Sequence, residues 1–320
     1  MKFGILGAAH GHIASFAASM IKSGHEFVGI YDPVIKRTES FVKRFDVQAF
    51  NNPRDLLETG VEVIGTSAVN NTKIDFYELC EEYGVHVVAD KPLVTDYTQY
   101  DRLENIIRRG KIQIGLLLTL RFSAPYVQLK KIIDQGDLGD ILSIEFYNAH
   151  NLNPDIREDW HFSSVQNGGV IIDLIIHCAD LFRWYTGLDE GAYYGTKTKS
   201  VLSKYDTFYD YADVYMQTNE GITAYFKTGW LMPEGALAAG YRVFVTGSKG
   251  SAVIENSVLK MCHNQQPFVE VECPPISQDP TIDFLCGLSG KERLITHEDI
   301  LMATKMTLDM DGQVQIFRNI

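Results

Sequence analysis

The sequence predicts an α/β chain. A doubly wound parallel sheet occupies residues 1–121, and an α+β domain with a large, mostly antiparallel open sheet occupies residues 122–320. Three observations carry this prediction. Short, continuously apolar runs alternate with amphipathic stretches over the first 120 or so residues, segments of period two dominate the second half, and 320 residues exceed what one hydrophobic core organises.

Residues 2–6, 27–31, 61–66, 86–89 and 112–118 read as strands too apolar to have one wet face. Between them, residues 13–22, 34–45, 73–83 and 97–109 read as helices, and Gly24, Gly84 and Gly110 follow three of them as stops. Strict alternation implies right-handed crossovers and a parallel sheet. After Arg121 the rhythm changes to a helix over 124–135, a strand over 141–147, an irregular polar stretch over 148–167 and a helix over 170–185. Residues 192–205, 212–218, 222–230, 241–246, 251–255 and 269–272 then read as strands. Turn residues such as Asn219-Glu220-Gly221 and Gly247-Ser248-Lys249-Gly250 part them. Helices near 281–288 and 298–315 close the chain.

Composition narrows the partners. A balance of 45% hydrophobic and 22% charged residues is that of a globular protein, and a net charge of −12 without a basic patch argues against nucleic acid and anionic membranes. Cys80, Cys178, Cys262, Cys273 and Cys286 are odd in number and show no metal-ligand spacing, which predicts a reducing interior. The start passes directly into a strand, and the apolar runs fall short of the roughly 18 residues that span a bilayer. The expectation is a cytoplasmic protein with no membrane partner.

Three groups of residues could carry chemistry. The first is the turn Gly7-Ala8-Ala9-His10-Gly11-His12, which joins the first strand to the first helix. A dinucleotide site needs small residues there and a helix N-terminus for the pyrophosphate. Against G-x-G-x-x-G/A, Gly7 fits, Ala9 stands for the second glycine and His12 for the third. Asp32, 20 residues after His12, ends the next strand, where a carboxylate accepts ribose hydroxyls. It favours NAD over NADP, while Lys36 and Arg37 leave NADP open as solvated cations able to turn back. The H-x-H spacing of His10 and His12 also suits a metal. That reading is set aside and no metal is expected, because no companion cluster of His and Asp recurs at later strand ends.

The second group is Ala89-Asp90-Lys91-Pro92-Leu93, which sets Lys91 at the exit of a buried strand, where open α/β sheets place their ligand crevice. The third is Gly168 to Asp180, in which Asp173 and His177 stand four apart and share one helical face among core residues. A carboxylate and an imidazole so placed tune one another.

Together, GILGAAHGH, VVADKPL, LRF at residues 120–122 and GGVIIDLIIHCADL resemble, in order and spacing, the Gfo/Idh/MocA oxidoreductase family. The resemblance implies a Rossmann domain and hydride transfer between nicotinamide and a secondary alcohol of a sugar or polyol. It implies Lys91, His177 and Asp173 as the catalytic set, with His177 taking the hydroxyl proton, Lys91 stabilising the alkoxide and Asp173 orienting. Which of Lys91 and His177 is the formal base stays open. Cofactor contacts are implied for Gly7, Ala9, His10, Gly11, His12, Asp32, Arg37, Ser67, Asn70, Asp90 and Lys91. Arg121, Asn148, His150 and Trp160, with Asp173 and His177, are expected to hold substrate, and Asn151, Arg157 and His161 add polar groups nearby. Departures from the family pattern are Asp90 for Glu, Lys73 for a histidine and Ile175 for a glycine. A non-catalytic NAD(P)-binding sensor or scaffold is the alternative. The resemblance also implies a homodimer or homotetramer through the second sheet, whose Tyr209, Tyr211, Tyr215, Tyr225, Phe226 and Trp230 suit burial by a partner subunit.

Overall fold

The computed structural model describes the chain except residues 201, 203, 231, 233–240 and 318–320, so the strand expected over 192–205 lies partly outside the described residues. The first elements are β1 (Lys2–Ala8), α1 (Ile13–Lys22), β2 (Glu26–Tyr31), α2 (Ile35–Phe45), β3 (Gln48–Ala49), α3 (Pro53–Leu57), β4 (Val63–Ser67), α4 (Lys73–Tyr83), β5 (His86–Ala89), α5 (Tyr97–Arg109) and β6 (Ile114–Leu116). Then come α6 (Ala124–Asp134), β7 (Ile141–Ala149), α7 (Ser164–Asn167), α8 (Gly169–Leu174) and α9 (Ile176–Thr186). Strands β8 (Ala192–Thr198), β9 (Tyr211–Gln217), β10 (Thr223–Gly229), β11 (Tyr241–Gly247), β12 (Gly250–Glu255), β13 (Val258–His263) and β14 (Val269–Glu270) follow. The last elements are α10 (Pro280–Leu288), α11 (His297–Gln313) and β15 (Gln315–Phe317).

Two compact units result. One comprises Met1–Leu118, Val165–Gly168 and Gln278–Leu301, the other Thr119–Ser164, Gly169–Ser277 and Met302–Ile320. Against the expected division at 121/122, two later segments lie with the first unit.

In the first unit, six parallel strands run in the order β3-β2-β1-β4-β5-β6. Phe3, Ile5, Leu6, Val63, Ile64, Val87 and Val88 are at most 1% exposed, as strands covered on both faces require. Gly65 is needed for packing: a Cβ there would lie 2.4 Å from the Phe16 ring of α1. Gly84 and Gly110 end α4 and α5 in the left-handed region, as expected of C-terminal stops. The short β3 and α3 were not expected; α3 begins at Pro53, with the Asn52 side chain accepting from Arg54 N–H at 2.9 Å. Helix α10 packs on α1 and β6, with Phe284 in the unit's core and Ser19 Oγ donating to Asp279 at 2.7 Å.

In the second unit, nine strands run in the order β14-β13-β12-β11-β7-β10-β9-β8-β15. The β7–β10 and β8–β15 pairs are parallel and the rest antiparallel. Alternation sorts the side chains. Phe146, Phe226, Val214, Met216, Val243 and Val245 face inward onto α6, α8 and α9, and Phe146 stacks on Phe226 at 5.2 Å. Phe226 and Trp230 are therefore core residues, whereas Tyr147, Tyr194 and Tyr225 point outward. β13 was missed because its hairpin with β12 turns on Asn256 and Ser257, both at positive φ without a glycine.

The stretch expected as irregular carries short 3-10 turns at Pro154–Ile156 and Asp159–Phe162 before α7. The expected helix over 170–185 divides into α8 and α9 at Ile175, although Ile175 N–H to Ile171 O and Ala179 N–H to Ile175 O keep helical spacing through the joint. By length and composition, Ser164–Thr186 could cross a membrane, but its apolar window is 83% buried inside the protein.

Candidate functional site

The turn after β1 has the features that a dinucleotide needs. Gly7 sits at φ +85°, and a Cβ there would come within 2.4 Å of the Ala68 Cβ, so only glycine lets β1 lie this close to the chain leaving β4. No side chain caps the start of α1 and no acid sits in its first turn, which leaves that helix end suited to an anion. Gly11 has open space around it, so its smallness serves access and not packing. Ala9 is half-buried in the same turn.

Asp32 at the end of β2 is held firmly. Ala8 N–H donates to its Oδ2 at 2.7 Å and Val34 N–H to its Oδ1 at 2.8 Å. Arg37 Nη1 lies 3.2 Å from Oδ1, and its side chain is only 10% exposed. Arg37 is thus not the solvated surface cation expected; it is paired with the carboxylate that ends β2. Ser67 Oγ donates to His10 O at 2.7 Å, and Asn70 Nδ2 donates to Asn167 O at 2.8 Å, so both hold loops of this unit in place.

The turn after β5 is anchored from below. The ammonium of Lys73, 1% exposed, donates to the carbonyl oxygens of Asp90 at 2.8 Å, Lys91 at 3.3 Å and Pro92 at 2.9 Å. The Lys91–Pro92 peptide is cis. Lys91 leaves the carboxyl end of β5, next to the edge strand β6, on a turn whose backbone is fixed by a buried cation. Burial alone would raise the Asp90 carboxyl; His10 and His12, with Lys73 behind them, hold it well below the usual carboxylate range. Burial lowers the His10 imidazole, against the pull of Asp90. The role of Lys73 was not expected, since a lysine on an amphipathic helix gives no sign of inward pointing.

In the second unit, Asp173 and His177 are 6% and 7% exposed. The His177 ring stands edge-on to Tyr241 at 5.8 Å, and His150 packs edge-on to the same tyrosine at 5.9 Å. Burial pushes the Tyr241 phenol well above its usual range, and Asp173 adds to the effect. Tyr241 thus joins two expected site histidines, and nothing in its sequence position, the first residue of a strand, marks it out. Burial lowers the Arg157 guanidinium while the charge of Asp173 opposes it.

The other expected substrate residues divide. Asn148 Nδ2 donates to Leu174 O at 2.6 Å and so ties β7 to the end of α8. Trp160, 9% exposed, packs against His161, whose ring meets Trp230 at 5.3 Å. Arg121 Nε donates to Asp180 Oδ2 at 2.9 Å and Nη2 lies 2.7 Å from Oδ1, with both residues at most 2% exposed. Its guanidinium also lies 5.4 Å from the Trp184 ring. That commits Arg121 to the interior of the unit, where it joins the chain after β6 to α9.

Residues 1–116 match the family described as oxidoreductases with an NAD-binding Rossmann fold, and residues 126–253 match the GFO/IDH/MocA C-terminal domain. Glucose-6-phosphate 3-dehydrogenase of Bacillus subtilis is 27% identical over 78% of this chain and 72% of its own. Inositol 2-dehydrogenase of Salmonella paratyphi B is 27% identical over 69% of this chain, and the match spans 65% of that enzyme, just under two thirds. Among solved structures, a 3-ketoreductase from Actinomadura kijaniata in complex with NADP and TDP-benzene superposes with a TM-score of 0.84 at 18% identity, covering 100% of this chain and 99% of that one.

Proposed function

The chain belongs to the GFO/IDH/MocA family of NAD-binding oxidoreductases, and on that premise we propose that it transfers hydride between NAD and a secondary alcohol of a sugar, polyol or related small molecule, with NADP as the alternative cofactor. The observation that carries this reading is the anchored turn after β5, which holds Lys91 at the carboxyl edge of a sheet whose first turn suits a dinucleotide. The activities named for the two relatives support a cyclic secondary alcohol as the substrate class.

The cofactor, when bound, supplies or accepts the hydride. What remains is proton handling. His177 takes the hydroxyl proton during oxidation, because imidazole is the side chain suited to hold and release a proton near neutral pH. Lys91 places a positive charge where negative charge develops on the substrate oxygen. Asp173 orients the substrate or His177. His150 and Tyr241, whose rings meet edge to face beside His177, offer aromatic faces with polar edges of the kind sugars bind, and Trp160 is a further expected contact. Gly7 to His12, Asp32, Asp90 and Lys91 hold the cofactor, while Arg37, Ser67 and Asn70 support its loops. Arg121 and Asn148 support the substrate residues through α8 and α9. Retention of Lys91, Asp173 and His177 supports turnover over a sensor that only binds the cofactor.

Fluorescence titration with NADH and NADPH, followed by a screen of sugars and inositols at the nicotinamide absorbance, tests this reading. Saturable binding and turnover are expected, with Lys91→Ala and His177→Ala each lowering kcat by roughly 100-fold or more while cofactor binding persists. A variant that retains wild-type rates removes that residue from the mechanism. Tight binding without turnover across the panel favours the sensor.

The outer face of the second sheet carries a groove of about 860 Å³ lined by Tyr147, Tyr194, Tyr215 and Tyr225 among Glu145, Asp213, Lys227 and Arg242. Its aromatic centre and mixed-charge surround support a homodimer or homotetramer built on this face. Five free thiols support a cytoplasmic location.

A further inference from the structure

Two imidazoles and a carboxylate meet at the carboxyl edge of the first sheet. His10 Nδ1 lies 3.1 Å from Asp90 Oδ2, and His12 Nδ1 lies 3.2 Å from Asp90 Oδ1. The His10 and His12 rings stand edge to face at 4.0 Å, and one ligand atom from each of the three residues falls within 4.8 Å of the others. Donors held about 2.0–2.1 Å from one tetrahedral ion stand about 3.3 Å apart, so these spacings are of the size that a single ion imposes.

A second observation points the same way. His10 Nδ1 is buried and faces the Asp90 carboxylate, so the imidazole and the carboxylate are held together away from bulk water. Asp90 Oδ1 also accepts the Lys91 N–H at 2.9 Å, which fixes the carboxylate on its turn. The H-x-H spacing was set aside for want of a companion ligand; that companion is Asp90, 78 residues from His12 and two strands across the sheet.

We propose that His10, His12 and Asp90 bind one divalent transition ion of the Zn²⁺ or Co²⁺ class. Imidazole with a single carboxylate selects such ions over Mg²⁺ and Ca²⁺, which prefer shells of oxygen. Three protein ligands leave a coordination position open to water or to an anionic oxygen. Both histidines lie on the short turn between β1 and α1 and the carboxylate follows β5, so the donors are fixed by one sheet.

Co²⁺ alone, titrated into the chelator-treated full chain, reads the site independently of any turnover. The expected result is a visible d–d absorption that saturates at one equivalent and is displaced by Zn²⁺. By calorimetry, His12→Ala and His10→Ala each weaken Zn²⁺ binding by at least tenfold. His12→Ala is the decisive variant, because that ring is 56% exposed and its loss leaves the core intact, which thermal melting verifies. Absence of the visible band overturns the proposal. So does Zn²⁺ affinity that stays unchanged in His12→Ala, which would assign the ion to the free cysteines or to the surface.

Discussion

The buried ammonium of Lys73 donates to the carbonyl oxygen of Asp90 at 2.8 Å and to the next two carbonyls of the turn. One cation thereby fixes the backbone on which Lys91 stands. Lys73→Met keeps the stem packed but leaves three acceptors without their donor, at a cost of about 3 kcal/mol. Thermal melting should show the loss, and kcat on an accepted substrate should fall by roughly tenfold or more while KM for the cofactor changes less. Unchanged kcat in a folded Lys73→Met protein would show that the turn does not position Lys91.

Arg121 and Asp180 form a buried ion pair inside the second unit, both at most 2% exposed. Arg121→Met strands a carboxylate in the core and is expected to cost about 3–5 kcal/mol. Arg121→Met combined with Asp180→Leu should recover much of that loss, because a pair removed together leaves no uncompensated charge. Denaturant unfolding of both single variants and the double variant gives the coupling energy. Simple additivity would mean that the pair is not an energetic unit.

Legibility in the sequence followed the range of the interactions. The parallel strands were readable because both faces are buried, which makes each run continuously apolar; the ends of α4 and α5 were readable because only a left-handed glycine is needed at Gly84 and Gly110. What escaped was set by pairs distant along the chain. Helix α10 gives no local sign that Phe284 enters the core of the first unit. The pairing of Arg121 with Asp180, 59 residues on, turns an expected ligand contact into internal structure. Lys91 was visible from strand position alone, whereas Lys73 and Tyr241 needed coordinates, since burial of a lysine or the meeting of a tyrosine with two histidines leaves no periodic trace.

The pairing of Asp32 with Arg37 predicts the cofactor. With its carboxylate fixed by two backbone N–H groups, Asp32 repels a 2′-phosphate and also holds Arg37. NADH should bind at least tenfold more tightly than NADPH. Asp32→Ser removes the repulsion and frees Arg37, so the ratio should move toward NADPH by about 1–2 kcal/mol. Fluorescence titration of both nucleotides against both proteins measures the shift, and an unmoved ratio would mean that Arg37 does not reach the 2′ position.

His297 predicts an acid-labile first unit. Its Nε2 accepts the Ile114 N–H at 3.1 Å, and burial, with Arg293 nearby, lowers the imidazole to about 4. A histidine whose folded pKa is depressed contributes stability that is fully present above its unfolded value near 6.5 and is lost as pH falls from there toward 4. After discounting for the part of the ring that water reaches, the loss amounts to about 2 kcal/mol. His297→Gln keeps an acceptor for Ile114 but cannot take a proton, so its stability should change less over that window. Melting temperatures of both proteins at pH 7, 6, 5 and 4 provide the comparison, and parallel curves would assign the acid sensitivity to other groups.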